Sequence, residues 1–307
     1  MDFIIGGLSA TCAGVFTNPF DVIKTRQQLQ GELQKISTST KLPYTGLWQS
    51  MKSIVRSDGI TGLQKGLGPA LAFQFAMNST RLGIFETVDN SLHWTKFHKD
   101  SPRSPVLCIF WGAVSGAVSS LISSPLYLIK TQIQSQTTGQ YAVGYQHNHK
   151  GTVDGLWKIF NLYGFRGLWK GSAAMIPRTA AGSAAQLSTF TKSKDFLCQY
   201  EIFRSSVFLT AVSASIISGF FVSIVMTPFD VVATRIFNQG IDKNGKGILY
   251  RGITDCFVKT LKIEGVRGLY KGFISNFCRV APHTVLNLTF WEQLKKVRDV
   301  HFSKTDA

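Results

Sequence analysis

PFDVIKTR, at residues 19–26, recurs twice more along the chain in related form. PLYLIKTQ follows at 125–132 and PFDVVATR at 228–235, so the three prolines are 106 and 103 residues apart. Self-similarity of this period indicates three structural repeats of about a hundred residues, which account for all 307 residues. The expected repeats are 1–99, 100–204 and 205–307.

A second signature follows each proline motif at a similar distance. It reads DGITGLQKG at 58–66, YGFRGLWKG at 163–171 and EGVRGLYKG at 264–272. The repeats are therefore colinear over both of their halves.

Each repeat contains two apolar segments separated by a polar stretch. The first segments are free of charge over Phe3–Phe20, Ser104–Ile129 and Ser205–Phe229, long enough to cross a hydrocarbon core of roughly 30 Å as helices. The second segments are interrupted by one arginine each. The pattern predicts an all-α membrane protein with six transmembrane helices in three pseudo-symmetric repeats. The arginines are Arg81, Arg178 and Arg279.

Small residues recur on one face of each first helix. They lie 5, 9 and 13 residues before each proline, a spacing that permits close packing of helices in lipid. These residues are Gly14, Ala10, Gly6, Ser120, Gly116, Gly112, Ser223, Gly219 and Ser215.

The charge of +16 is compatible with a nucleic-acid binder, an anion-handling protein or a membrane protein. The distribution of the basic residues along the chain favours an anion-handling protein or a membrane protein. The loops inside the repeats (27–66, 133–171 and 236–272) carry 16 Lys and Arg, whereas the connections at 90–105 and 195–207 carry four. The basic loops are expected to face the non-translocated compartment, each with a short surface helix such as TVDGLWKIFNLYG.

Several other classes of protein are disfavoured. The five cysteines show no metal-ligand spacing and are expected to be buried thiols, and the sequence HNH at 147–149 is expected to be solvated loop. No nucleophile triad, phosphate loop or metal cluster indicates an enzyme, so no catalytic residue, cofactor or metal is expected. No aromatic-basic motif indicates nucleic-acid binding. The N-terminus shows neither a secretory signal nor a cleavable transit peptide.

The proline motif and the glycine-rich signature, each repeated three times, resemble those of the mitochondrial carrier family over essentially the whole chain. The resemblance implies a multi-pass transporter of the mitochondrial inner membrane that works as a monomer. It further implies a short matrix-side helix in each repeat, where phospholipid, including cardiolipin, could bind.

The resemblance also implies that each motif acid pairs with the motif base of the next repeat. Asp21 then pairs with Lys130, and Asp230 pairs with Lys24. The third pair is replaced by Tyr127 and Ala233, so both of its charges are lost together. This order leaves no motif charge without a partner. It predicts a matrix-side gate with two ionic bridges instead of three. The alternative is a static structural clasp, in which the bridges never open.

A cytoplasmic gate is expected at the far ends of the second helices, where FETVD (85–89), FTKSK (190–194) and WEQLK (291–295) match the family pattern only in part. Glu86 and Lys194 can form one bridge there. The expected gate is weak.

The expected substrate site is built around Arg178 and Arg279. Both stand eight residues after the lysine of their KG pair, about 12 Å into the membrane on one level. With no acid near them on the second helices, they are expected to lack a protein counter-charge and to bind a small dianion. The equivalent residue in repeat 1 is Phe73, beside Gln74, which makes one wall partly apolar.

Further residues complete this site. Arg178 followed by Thr179 resembles the keto-acid and dicarboxylate group of the family. Arg81 either attracts anions or bridges to Glu86, and His283 is either a hydrogen-bonded neutral imidazole or a proton-coupling group.

The leading hypothesis is exchange of small dianions by alternating access, with dicarboxylates, keto acids and sulfur oxoanions as candidates. A proton or fatty-acid anion leak is the alternative.

Overall fold

A computed structural model describes residues 2–34, 42–94, 105–204, 206–242 and 245–303. The described chain forms ten α-helices, joined by turns and three short 3₁₀ segments. The helices are α1 (Asp2–Leu29), α2 (Leu47–Asp58), α3 (Leu67–Trp94), α4 (Pro105–Ser135), α5 (Thr152–Leu168), α6 (Met175–Leu197), α7 (Glu201–Arg204), α8 (Val207–Asn238), α9 (Ile253–Leu269) and α10 (Phe273–Ser303).

The six long helices form a closed bundle in chain order. Each one packs against its neighbours in sequence, and α10 returns to pack against α1. By length and composition, Phe3–Leu29, Phe110–Ser135 and Leu209–Asn238 can each cross a membrane. These spans lie in α1, α4 and α8, the helices that the uncharged segments predict. The all-α class with three repeats and short helices between the long ones is confirmed.

The repeated prolines lie inside α1, α4 and α8, where Pro19, Pro125 and Pro228 each remove one backbone hydrogen bond. The motif residues that follow bring the three helices together at one end of the bundle, which we call the motif end. The predicted small-residue faces lie against the following long helix. A Cβ atom added at Gly6 would overlap Leu82, and one at Gly219 would come within 3.2 Å of Ala281.

The glycine-rich signature is explained by backbone geometry. The first glycine of each copy ends or interrupts the short helix with a positive φ, 75° at Gly59, 64° at Gly164 and 71° at Gly265. The glycine of each KG pair also has a positive φ. L-residues with a Cβ atom rarely adopt this conformation, so glycine recurs at these turns in all three repeats.

Buried arginines attach the short helices to the bundle in repeats 1 and 3. Arg26 donates to Asp58 of α2 at 2.5 Å. Arg235 donates to both carboxylate oxygens of Glu264 of α9, at 2.6 and 2.9 Å. Lys271 also contacts Glu264 at 2.5 Å.

Repeat 2 uses neutral groups at the same place. Gln132 stands where Arg26 and Arg235 stand in their repeats, and its amide oxygen accepts from His149 at 2.8 Å. His147 donates to the backbone carbonyl of Asn238 at 2.9 Å. Burial lowers the pKa of His149 to about 4, so the pair stays neutral near pH 7. The expectation of a solvated HNH loop was therefore wrong, because both imidazoles are partly buried and hydrogen-bonded.

The Glu264→Gln variant is expected to lose about 3–5 kcal/mol of unfolding free energy at pH 7, because Arg235 then stays buried without its counter-charge. Burial acts to raise the pKa of Glu264, but the hydrogen bonds and charge of Arg235 lower it below 4.5. Its contribution is therefore present above pH 4.5 and is lost as the pH falls through the lowered folded pKa. Melting in detergent should show a constant gap to wild type from pH 7 down to about pH 4.5, and a gap that narrows as the pH falls further.

The matched control is Asp255→Asn, which removes a partly exposed helix-surface pair with Lys259. It should leave the melting temperature near that of wild type. Equal melting temperatures for the two variants at pH 7 would contradict the assigned role of Glu264.

Candidate functional site

Two buried ion pairs join α1, α4 and α8 at the motif end. Asp21 pairs with Lys130, and Lys24 pairs with Asp230 at 2.6 Å. All four residues are at most 6% exposed. The structure therefore contains both pairs in the order that the sequence analysis expected, with each acid bonded to the base of the following repeat.

The third position of this ring holds no charge. Tyr127 and Ala233 are both buried, in an apolar cluster that includes Phe73 and Phe237. The loss of both charges at this position leaves neither side chain in need of a counter-ion.

The two mid-membrane arginines contact the carboxylates of the same ring. Arg178 Nε donates to Asp230 Oδ1 at 2.5 Å, and Arg279 Nε lies 3.6 Å from Asp21 Oδ1. The expectation that neither arginine has a protein counter-charge was therefore wrong. It considered acids on the second helices only, whereas the acids that reach the arginines belong to the first helices, across the bundle.

The charge balance still leaves an excess. Lys24, Lys130, Arg178 and Arg279 contact two carboxylates, so in the described part of the chain two of these four positive charges lack a counter-charge. Arg279 is the less satisfied arginine. Its Nε forms no hydrogen bond to any described residue, and its Nη2 donates only to Asn276, at 3.3 Å.

A cavity of about 220 Å³ lies above the ion-pair ring and brings the expected substrate residues together. Arg178 and Arg279 line it, together with Lys130 and Gln186. No acidic side chain lines it among the described residues. The other expected site residues that line it are Phe73, Gln74, Arg81, Thr179 and His283.

His283 is held in a neutral tautomer by hydrogen bonds from two helices. The Gln74 amide nitrogen donates to Nε2 at 3.1 Å. Thr17 Oγ1 lies 3.2 Å from Nδ1, and because this hydroxyl donates to the Ala13 carbonyl, it accepts from the imidazole N–H. Of the two readings left open by the sequence, this arrangement supports the hydrogen-bonded neutral imidazole.

The opposite end of the bundle is less completely described. The side chain of Glu86 lies outside the described residues, so its expected pair with Lys194, which is exposed, stays a prediction. Arg81 lines the cavity, which agrees with the anion-attracting reading. Its alternative bridge to Glu86 is likewise a prediction.

Two amides that the sequence motifs did not single out contact the carboxylates of the ion-pair ring. Gln28 donates to Asp230 at 3.1 Å, and Gln134 Nε2 lies 3.5 Å from Asp21 Oδ2. Both glutamines stand nine residues after the proline of their motif. This shared offset is a signal by which they could have been found.

Six long helices in three repeats, closed around a cavity lined by basic side chains, place the protein in the class of membrane transporters. The family model described as mitochondrial carrier protein matches residues 1–96, 101–201 and 204–300. The chain belongs to the mitochondrial carrier family and is a multi-pass transporter of the mitochondrial inner membrane, not an enzyme.

Named relatives cover nearly the full length. The chain is 42% identical to solute carrier family 25 member 35 of Mus musculus, over 96% of this chain and 97% of the relative. It is 42% identical to the mitochondrial oxaloacetate transport protein of Saccharomyces cerevisiae, over 96% and 89%. It is 38% identical to mitochondrial citrate transporter E of Aspergillus niger, over 96% and 92%.

Proposed function

We propose that this carrier exchanges small dianions, such as dicarboxylates, keto acids or sulfur oxoanions, by alternating access. The observation that carries the proposal is the excess of two positive charges beside a cavity without acidic lining in the described chain. A dianion supplies the two missing negative charges. The cavity volume of about 220 Å³ suits a ligand of a few heavy atoms.

In this proposal, the ligand competes with the gate carboxylates for the arginines. A planar guanidinium can bind a carboxylate or sulfate through paired hydrogen bonds. When the ligand binds Arg178 and Arg279, Asp230 and Asp21 each lose one cationic contact. The binding free energy offsets part of the cost of separating the two gate pairs, so the motif end can open with the ligand bound.

Asymmetry of the cavity orients the ligand. Arg178 and Thr179 come from α6, Arg279 from α10, and Phe73 and Gln74 from α3. The charged groups of the ligand would face α6 and α10, and its carbon atoms would face Phe73. Arg81, farther from the motif end, would attract anions into the cavity.

The chain is proposed to work as a monomer, with acidic phospholipid such as cardiolipin at the short helices of the motif end. A surface groove of about 760 Å³ between repeats 2 and 3 supports lipid binding, because Lys170, Lys246 and Arg251 line it beside four glycines.

Uptake into proteoliposomes tests the substrate class. The panel is oxaloacetate, malate, malonate, sulfate, thiosulfate and phosphate, with citrate added because one relative is named a citrate transporter. Dianions are expected to exchange about 10–100-fold faster than matched monoanions such as acetate, because one unpaired charge costs roughly 1.5–3 kcal/mol.

Strict dependence of this uptake on internal counter-substrate would support exchange. Flux that needs no counter-substrate, or that follows long-chain fatty acids, would instead support a leak carrier. Equal rates for monoanions and dianions would contradict the proposed charge matching.

A further inference from the structure

An aromatic side chain occupies the third position of the ion-pair ring, where the other two repeats have an acid. Tyr127 of α4 corresponds to Asp21 of α1 and Asp230 of α8 and is 2% exposed. Its ring packs against Phe73 and Phe237, with centroid distances of 5.2 and 5.1 Å. The proline motif alone identifies the substitution but not what the ring contacts.

Two cations lie against the Tyr127 ring. Arg178 Cζ is 5.0 Å from the ring centroid, and Lys130 Nζ is 5.6 Å from it. A cation within about 6 Å of an aromatic face is attracted by the ring quadrupole, and the attraction is stronger away from water. Each cation also pairs with a carboxylate, Asp21 for Lys130 and Asp230 for Arg178, and Lys130 Nζ lies 5.3 Å from the Phe73 ring centroid as well. The ring therefore links one gate pair to the arginine that holds the other.

A ring holds a cation without neutralising it. An acid at position 127 would form a full ion pair with Arg178 or Lys130 and would reduce the charge excess of the site from two to one. It would also compete with an incoming anion for Arg178. Tyrosine avoids both effects while keeping the two cations in place.

We propose that Tyr127 is a positioning residue that holds Arg178 and Lys130 and preserves the double positive charge of the cavity. This inference rests on the proposed dianion exchange. It predicts that the ring determines affinity for the dianion, and that the phenol hydroxyl contributes little.

Kinetics in proteoliposomes test this role with three substitutions. Tyr127→Phe keeps the ring and is expected to keep the KM for the preferred dianion within about twofold. Tyr127→Leu is expected to raise that KM about tenfold, the size of a buried cation–π contact. Tyr127→Glu is expected to lower the ratio of dianion to monoanion transport about tenfold or more, because it neutralises one positive charge.

Phe237→Leu is the matched control, because Phe237 packs edge-on against Tyr127 and forms none of the cation contacts described above. It removes an aromatic ring from the same cluster and should leave KM unchanged even if the protein becomes less stable. Equal KM values for Tyr127→Leu and Phe237→Leu would overturn the proposal. So would a KM for Tyr127→Phe as high as that of Tyr127→Leu.

A double-mutant cycle in detergent, without substrate, separates this inference from the proposed function. Melting temperatures are compared for Tyr127→Leu, Arg178→Gln and the double variant. Losses that are clearly less than additive would support the contact between the two side chains whatever anion is transported. Additive losses would overturn it, even if dianion exchange by the wild type were established. Phe237→Leu combined with Arg178→Gln should depart less from additivity, because these two side chains share only Tyr127 as a partner.

Discussion

The Arg279→Ala variant is expected to lose dianion exchange by at least about 100-fold. Arg279 is the less satisfied arginine of the cavity, with one weak hydrogen bond to Asn276 and a 3.6 Å contact to Asp21. Its charge is therefore the one most available to a ligand. Removing one partner of a buried charge pair costs about 3–5 kcal/mol, and every 1.4 kcal/mol is a tenfold change.

Uptake of the preferred dianion by proteoliposomes at saturating and limiting concentrations would measure this loss. Arg267→Ala is the matched control, because Arg267 is an exposed arginine of α9 outside the cavity. It should transport like the wild type. Near-normal uptake by Arg279→Ala would show that Arg279 does not bind the substrate. It would also contradict the proposal that two positive charges of the site match the two charges of the dianion.

Reversing both charges of the Asp21 and Lys130 pair should preserve more transport than reversing either one alone. Asp21→Lys places a cation beside Lys130, Lys24 and Arg279, and Lys130→Asp leaves two carboxylates together. Each single reversal is expected to reduce exchange by about 100-fold or more. The double reversal restores one attraction but leaves the new lysine near Lys24 and Arg279, so recovery should be partial.

Exchange rates and melting temperatures of the four proteins would measure the coupling between the two positions. The same reversal of Asp154 and Lys158, a partly exposed surface pair on α5, serves as control and should change both quantities much less. If the double reversal were no better than the worse single variant, the pair could not be acting as a gate, and the static clasp would be the better description.

Sequence alone predicted much of the fold because its signals are local and repeated. An uncharged segment of sufficient length must be helical to satisfy its backbone in lipid, and glycine must recur where φ is positive. The pairing order came from the resemblance to the carrier family, and the absence of charge at both Tyr127 and Ala233 favoured it over the reverse order. A buried charge without a counter-charge is costly, so two uncharged residues at positions that would otherwise pair with each other fit this order.

The partners of Arg178 and Arg279 could not be read from the same signals. Spacing along one helix places a side chain at a height and on a face, but it does not show how far a long, flexible arginine reaches across the bundle. Both arginines reach carboxylates on helices that are distant in sequence. The same limit applied to HNH at 147–149, whose partners Gln132 and Asn238 lie on two different helices.

The repeat architecture and the uncharged helices can be predicted from the residues alone, because both depend on the order of residues within a motif, whereas the two ionic pairs were expected from the family resemblance. How charge is shared between the pairs and the cavity, and the contact of Tyr127 with two cations, emerge only from the folded bundle. Those contacts depend on the distance between side chains from different repeats, a quantity set by the closure of the bundle.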